Sequence, residues 1–135
     1  MDNNITQDNF ARLFLEAFVP NISPKLLKHM NCYAPKHGYL WGVCEYDLTF
    51  CLKAHDAMRA YDKIEKAGAV EIVYDNRSGN ENNARALSEN HDTSRKIQDA
   101  GLMEFYVVGK NFSWCYIVTH EIDACGPYLI LRKPL

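Results

Sequence analysis

The clearest periodic pattern of apolar and polar positions lies near the start of the chain and is helical. Between residues 7 and 19, apolar side chains recur at three- and four-residue spacing, at Phe10, Leu13, Phe14, Ala17 and Phe18. This spacing lays them along one stripe of an α-helix, and Pro20 ends that helix. A second, shorter helix is predicted from Ser23, because serine is a favoured N-cap and Pro24 suits the first helical position.

The middle of the chain alternates between strand and helix patterns. Residues 39–46 are rich in aromatic and β-favouring side chains and predict a strand. Residues 52–66 carry a helical stripe and predict a third helix. Residues 69–74 predict a short strand, residues 75–83 a polar loop, and residues 85–100 a partly helical segment.

The C-terminal third predicts three strands joined by short turns. The strands are 104–108, 112–121 and 128–132, and the turns are 109–111 and 123–127. Short turns between consecutive strands imply antiparallel pairing. Residues 1–135 are therefore predicted to form a single α+β domain, with a mostly antiparallel sheet of about four to five strands covered by about three to four helices.

Charge and composition narrow the classes of protein to consider. Fifteen basic residues meet seventeen acidic ones, for a net charge of −2, so the chain lacks the basic face of a nucleic-acid binder. No apolar window is long enough to span a membrane, and the first residues lack the features of a signal peptide. We expect a cytoplasmic protein that binds neither nucleic acid nor membrane. Acidic residues near strand ends, Glu71 among them, are expected at the surface.

Cysteine and glycine patterns argue against the common cofactor sites. The five cysteines are Cys32, Cys44, Cys51, Cys115 and Cys125, and none forms a Cys-x-x-Cys pair. A disulfide scaffold or closed zinc site needs paired spacing, so free and mostly buried thiols are expected. A looser metal site from His120, Glu121, Asp123 and Cys125 is disfavoured, because a turn rarely aims such residues at one point. Standard phosphate-binding glycine motifs are absent. No metal and no cofactor are predicted.

The strand predicted over residues 112–121 carries the richest chemistry. Alternation puts one set of side chains on a common face, namely Phe112, Trp114, Tyr116, Val118 and His120. Glu121 lies on the other face. A histidine beside aromatic walls suits acid–base chemistry or ligand binding. For His120 we favour a hydrogen-bonded position at the edge of the core, and for Trp114 a packing role.

A specific motif runs through this region. It reads Phe112-x-Trp114-x-Tyr116-x-Val118-Thr119-His120-Glu121, followed by Gly126-Pro127-Tyr128. With an aromatic-Leu-Trp strand at residues 39–41, it resembles a family of small bacterial proteins known only as a domain of unknown function. The chain has Cys115 where members tend to show threonine. The resemblance implies a compact cytoplasmic bacterial protein and supplies no activity.

The first functional hypothesis is a non-enzymatic protein-binding module, in the manner of a small toxin-neutralising immunity protein. Tyrosine and tryptophan contribute large contact areas with few torsions to freeze, which favours partner binding. The candidate binding residues are Trp41, Trp114, Tyr116 and Tyr128. The identity of the partner and the oligomeric state are not defined by the sequence.

The alternative hypothesis is a small hydrolytic or thiol-dependent enzyme. It would use His120 with Cys125 or Glu121, since a nucleophile needs an adjacent base. Thr119-His120-Glu121 also resembles the start of a metalloprotease signature, but the second histidine that this signature requires is replaced by Ala124. The metalloprotease interpretation is therefore rejected.

Overall fold

The computed structural model describes residues 5, 7–21, 23–25, 42–45, 49–73, 84–102, 105–119 and 127–132. Its first helix, α1 (Gln7–Phe18), confirms the helix predicted from the N-terminal stripe. Phe10 and Phe14 are fully buried. The Phe10 ring meets Tyr106 edge to face, with 5.3 Å between ring centroids. The apolar stripe of α1 therefore covers one face of the central sheet.

Six antiparallel strands form that sheet. They are β1 (Cys51–Lys53), β2 (Val70–Val73), β3 (Arg85–Ala86), β4 (Phe105–Val108), β5 (Trp114–Val118) and β6 (Tyr128–Leu131). Their order across the sheet is β1-β6-β5-β4-β2-β3. The predicted α+β architecture with an antiparallel sheet is confirmed, and two short edge strands, β1 and β3, raise the strand count to six.

Alternation along the strands separates two hydrophobic layers. On β5, Cys115 and Ile117 pack into the layer that contains α1. Trp114 and Tyr116 face the other way, into a layer covered by two further helices, α3 (His55–Lys63) and α4 (Ser94–Ala100). The helical turn α2 (Gly42–Glu45) lies on the α1 side. The sheet is thus covered by helices on both faces.

Two predictions for the middle of the chain are wrong. Within the strand predicted at residues 39–46, Gly42–Glu45 form the helical turn α2. The helix predicted from residue 52 begins only at His55, because residues 51–53 form β1 and pair with β6. Ala54, with a positive φ of 54°, separates strand from helix. Pairing with a neighbouring strand has overridden the local helical pattern, as is common in sheets.

The segment predicted as partly helical at residues 85–100 divides into three elements. Arg85–Ala86 form β3, Glu89–His91 form a 3₁₀ turn, and α4 begins at Ser94. The hydroxyl of Thr93 accepts a hydrogen bond from the backbone N–H of Lys96, which caps the helix. Gly101 ends it in the left-handed conformation, with φ 69°.

The long strand predicted from residue 112 is shorter among the described residues. Lys110–Phe112 form a 3₁₀ turn in which Asn111 and Phe112 have positive φ, and β5 begins at Trp114. The turn places the Phe112 ring on the α1 side, 6.1 Å from the Phe10 ring. The prediction that Phe112 shares a face with Trp114 is therefore wrong, whereas the shared face of Trp114 and Tyr116 is confirmed.

Gly109, between β4 and the 3₁₀ turn, lies directly against Trp114. A Cβ atom built on Gly109 would come within 2.7 Å of three indole atoms. Its φ of −75° is ordinary, so glycine is needed for space and not for backbone conformation. The position of the indole therefore depends on the missing side chain.

We predict that Gly109→Ala lowers the free energy of unfolding by about 1–3 kcal/mol, because the added methyl group overpacks a buried ring. Urea unfolding of the purified chain measures the loss. In a Trp114→Leu background the same substitution should cost much less, since the smaller side chain leaves room. An equal cost in both backgrounds would show that the indole contact is not the cause.

Candidate functional site

Four of the seven candidate catalytic and binding residues lie outside the described residues, and their roles remain predictions. They are Trp41, His120, Glu121 and Cys125. The other three, Trp114, Tyr116 and Tyr128, are buried. Trp114 and Tyr116 lie in the layer of α3 and α4, and Tyr128 lies in the layer of α1. The structure therefore brings the first two together and separates them from the third.

An aromatic stack joins the sheet to α3. The Tyr61 ring stacks on Tyr116 at 4.2 Å and meets Trp114 edge to face at 5.9 Å. The Tyr61 hydroxyl donates a hydrogen bond of 2.7 Å to the carbonyl of His91. Burial raises the pKa of both tyrosines well above the ordinary value. Both phenols stay protonated and act as structural groups.

A buried carboxylate lies next to this stack. Glu71 on β2 is 1% exposed, although it was expected at the surface. One of its oxygens, Oε1, accepts hydrogen bonds from the Ser88 backbone N–H at 3.1 Å and from His91 Nδ1 at 2.9 Å. The other oxygen accepts a bond from Arg85 Nε at 3.2 Å. Glu71 thereby ties the segment from β3 to the 3₁₀ turn to the sheet.

The hydrogen bonds from these donors keep the Glu71 carboxylate ionised. Burial alone would raise its pKa, but the hydrogen bonds from His91, Ser88 and Arg85 outweigh burial and lower the pKa below the ordinary 4.5. The ionised carboxylate also fixes His91 as the tautomer with hydrogen on Nδ1. Carboxylates orient imidazoles in this way in catalytic and metal sites. Among the described residues, however, no three His, Cys, Asp or Glu side chains are grouped to hold a metal ion.

We predict that Glu71→Ala lowers the free energy of unfolding by about 2–4 kcal/mol, since it leaves a cavity and removes the acceptor from the partly buried donors of Ser88 and His91. Chemical denaturation at neutral pH measures this loss. Glu89→Ala is the matched control, because Glu89 is exposed and its side chain makes no hydrogen bond in the described structure. A cost for Glu71→Ala no larger than that of the control would contradict the anchoring role.

The same carboxylate predicts a pH dependence. The folded pKa of Glu71 is lowered, so its stabilisation is present above the ordinary pKa of 4.5 and is lost as the pH falls through the folded pKa. Thermal unfolding between pH 7 and 3 should show a steeper acid loss for the wild type than for Glu71→Gln. Parallel profiles for the two proteins would exclude Glu71 as the source.

Two of the three described thiols are poor nucleophiles. Cys44, Cys51 and Cys115 are free, and the first and last are buried. Burial raises the pKa of Cys44 and Cys115 well above the ordinary value, so both remain protonated at neutral pH. These two buried thiols therefore offer packing and not a reactive group.

One end of the sheet gathers exposed groups around Trp114. Trp114 is paired with Leu131 of β6, and continuing the β1–β6 register by one residue places Phe50 opposite Leu131. Phe50 is 56% exposed and is the one large hydrophobic side chain found exposed among the described residues. Arg132 follows Leu131 and donates to the carbonyl of Asn111 at 2.9 Å.

Two lysines also lie at this end of the sheet. Lys66 lies over the Tyr61 ring, with its Nζ 4.5 Å from the ring centroid. The stem of Lys110 fills the space beside Gly68, within 3.4 Å of where a Cβ would lie. We call Trp114, Lys66 and Lys110 the basic corner. The sequence did not indicate it, because only the pairing of β2 with β4 brings residues 66–68 beside residue 110.

The fold and this geometry define a small α+β domain with an antiparallel sheet, a buried Glu71–His91 pair and a basic corner. A family model for a domain of unknown function, DUF4275, matches residues 9–129, and the chain belongs to that family. The predicted membership in an uncharacterised family is thereby confirmed. No curated protein and no solved structure matches the chain. Among the described helices, none is long and apolar enough to cross a membrane.

Proposed function

We propose that the protein is a non-enzymatic, protein-binding module of the bacterial cytoplasm, which binds an extended acidic segment of a partner protein along β1. Neutralising a toxin is the specific form of this binding that we favour. The observation that carries the proposal is Phe50, a large apolar side chain left 56% exposed beside an edge strand. Such side chains are common anchors in protein interfaces.

The backbone of β1 supports this mode of binding. β1 is at the end of the strand order and pairs with β6 on one side. The N–H of Ala54 bonds to the carbonyl of Pro127, on the β6 side. Because the direction of the backbone groups alternates along a strand, the N–H of Cys51, three residues before Ala54, points away from β6. An extended peptide that adds to a sheet edge uses such outward groups.

The charge beside β1 supports an acidic partner. Lys53 lies on β1 and is exposed, and the exposed Arg132 directly follows the neighbouring strand β6. The nearby acidic side chain of Asp56 is already paired with Arg59. Opposite charge on the partner would favour encounter and register. The free thiols of Cys44, Cys51 and Cys115 support a reducing compartment such as the cytoplasm.

Selection from a displayed library of random 12-residue peptides tests the proposal. We expect the wild-type protein to enrich acidic peptides with alternating apolar residues. Phe50→Lys should weaken a selected peptide by at least about tenfold, measured by fluorescence anisotropy, because it removes the apolar anchor. Gln98→Lys makes the same change of charge on an exposed position of α4 and should leave binding intact.

A second pair of variants separates backbone pairing from side-chain contacts. Cys51→Pro and Cys51→Ala both remove the thiol, but only the proline removes the outward N–H. We expect Cys51→Pro to bind the selected peptide clearly more weakly than Cys51→Ala does. Equal binding by the two variants, or a library with no peptide that depends on Phe50, would refute binding along β1.

A further inference from the structure

The indole N–H of Trp114 is a buried donor without a partner. Trp114 is 5% exposed, and within the described structure its N–H makes no hydrogen bond. Buried N–H groups are nearly always satisfied by protein, water or an ion, because an unpaired donor costs about 1–3 kcal/mol. The N–H therefore marks a position where a bound acceptor would be stabilised.

Gly109 packs directly against the ring next to this N–H. A Cβ on this residue would lie within 2.7 Å of Nε1 and two adjacent ring carbons. These three distances place the Cβ over the face of the ring. Glycine at this position therefore lets the backbone pack against the indole and holds the N–H at this end of the sheet.

The two lysines lie at the same end of the sheet as this N–H and carry charge that is available to a ligand. Lys66 and Lys110 form no ion pair in the described structure. Lys66 donates one hydrogen bond, to the carbonyl of Ile64, and retains two further N–H groups. Partial burial lowers the pKa of Lys66, although Asp62, Asp92 and Glu65 act to raise it.

The carboxylates that act on Lys66 are engaged elsewhere. Asp62 accepts hydrogen bonds from the backbone and hydroxyl of Ser94. Glu65 accepts one from the N–H of Ala67. Asp92 pairs with Lys96 at 2.9 Å. None of the three carboxylates forms an ion pair or a hydrogen bond with Lys66, Lys110 or the indole N–H in the described structure.

We propose that the basic corner, Trp114 with Lys66 and Lys110, is an oxyanion-binding site. Indole N–H and ammonium groups are donors only, so the ligand must be an acceptor, and the two positive charges require a negative one. A phosphate or a carboxylate group satisfies both conditions. The site needs only a small anion. Anion binding here does not depend on peptide binding along β1, so the two proposals are tested separately.

The test follows the indole ¹H–¹⁵N resonance of Trp114 in the full-length protein. Inorganic phosphate and acetate are titrated separately at constant ionic strength, with chloride as the balancing salt. The chain has two tryptophans, so Trp114→Phe assigns the resonance by its loss. If that variant does not fold, Trp41→Phe assigns it by elimination.

We expect a saturable shift of the Trp114 resonance with at least one of the two anions, and the stronger response identifies the preferred group. Lys66→Gln/Lys110→Gln should abolish the shift while circular dichroism stays unchanged. The control pair Lys25→Gln/Lys63→Gln removes the same charge from exposed positions and should retain it. A resonance that does not move, or one that moves equally in the two double variants, overturns the proposal.

Discussion

The burial of β5 on both faces is the constraint on which the rest of the structure depends. All five residues from Trp114 to Val118 are buried, and they pair with β4 on one side and β6 on the other. An aromatic side chain of 150–250 Å² buried at about 25 cal/mol per Å² contributes about 4–6 kcal/mol as an upper bound. A single hydrogen bond contributes only about 1 kcal/mol net. The aromatic rings around β5 therefore dominate stability.

Polar interactions fix the position of one segment of the chain that apolar burial and strand pairing do not fix. The segment from β3 through the 3₁₀ turn pairs over only two residues, which is too little to fix it. Glu71 supplies the missing constraint through Arg85, Ser88 and His91. The carbonyl of His91 then receives the Tyr61 hydroxyl, so the same segment also holds the aromatic stack. The buried carboxylate and the stack thus support one another.

The elements that follow from hydrophobic periodicity were predicted correctly from the sequence. Features that depend on strand pairing or on an unusual backbone conformation were missed. The α1 stripe and the cores of β2, β4, β5 and β6 follow from local patterns of 3.6 and 2 residues. β1 was missed because three residues beside a helical stripe carry no strand signal of their own. Phe112 was placed on the wrong face because a non-glycine residue with positive φ is not visible in the sequence.

In the candidate site, too, local sequence patterns reveal some residues, and only the tertiary structure reveals the others. Trp114 and Tyr116 were recognised as neighbours from alternation alone. The burial of Glu71 was not, because a lone carboxylate between valine and isoleucine reveals its partners only when residues 85–91 fold back over it. The basic corner also needs tertiary information, since Lys66 and Lys110 lie far apart in the chain and reach the same end of the sheet only through the pairing of Val70 with Val108.

An unpaired donor, the Trp114 indole N–H, lies at the end of the most buried strand, and hydrogen exchange tests that placement most directly. Exchange of the Trp114 indole N–H is compared with exchange of the β5 backbone amides, with and without phosphate. We predict fast indole exchange beside slowly exchanging amides in the free protein, and slower indole exchange once phosphate is bound. An indole N–H as protected as the β5 amides under both conditions would mean that it already has a partner within the chain, which would contradict the account.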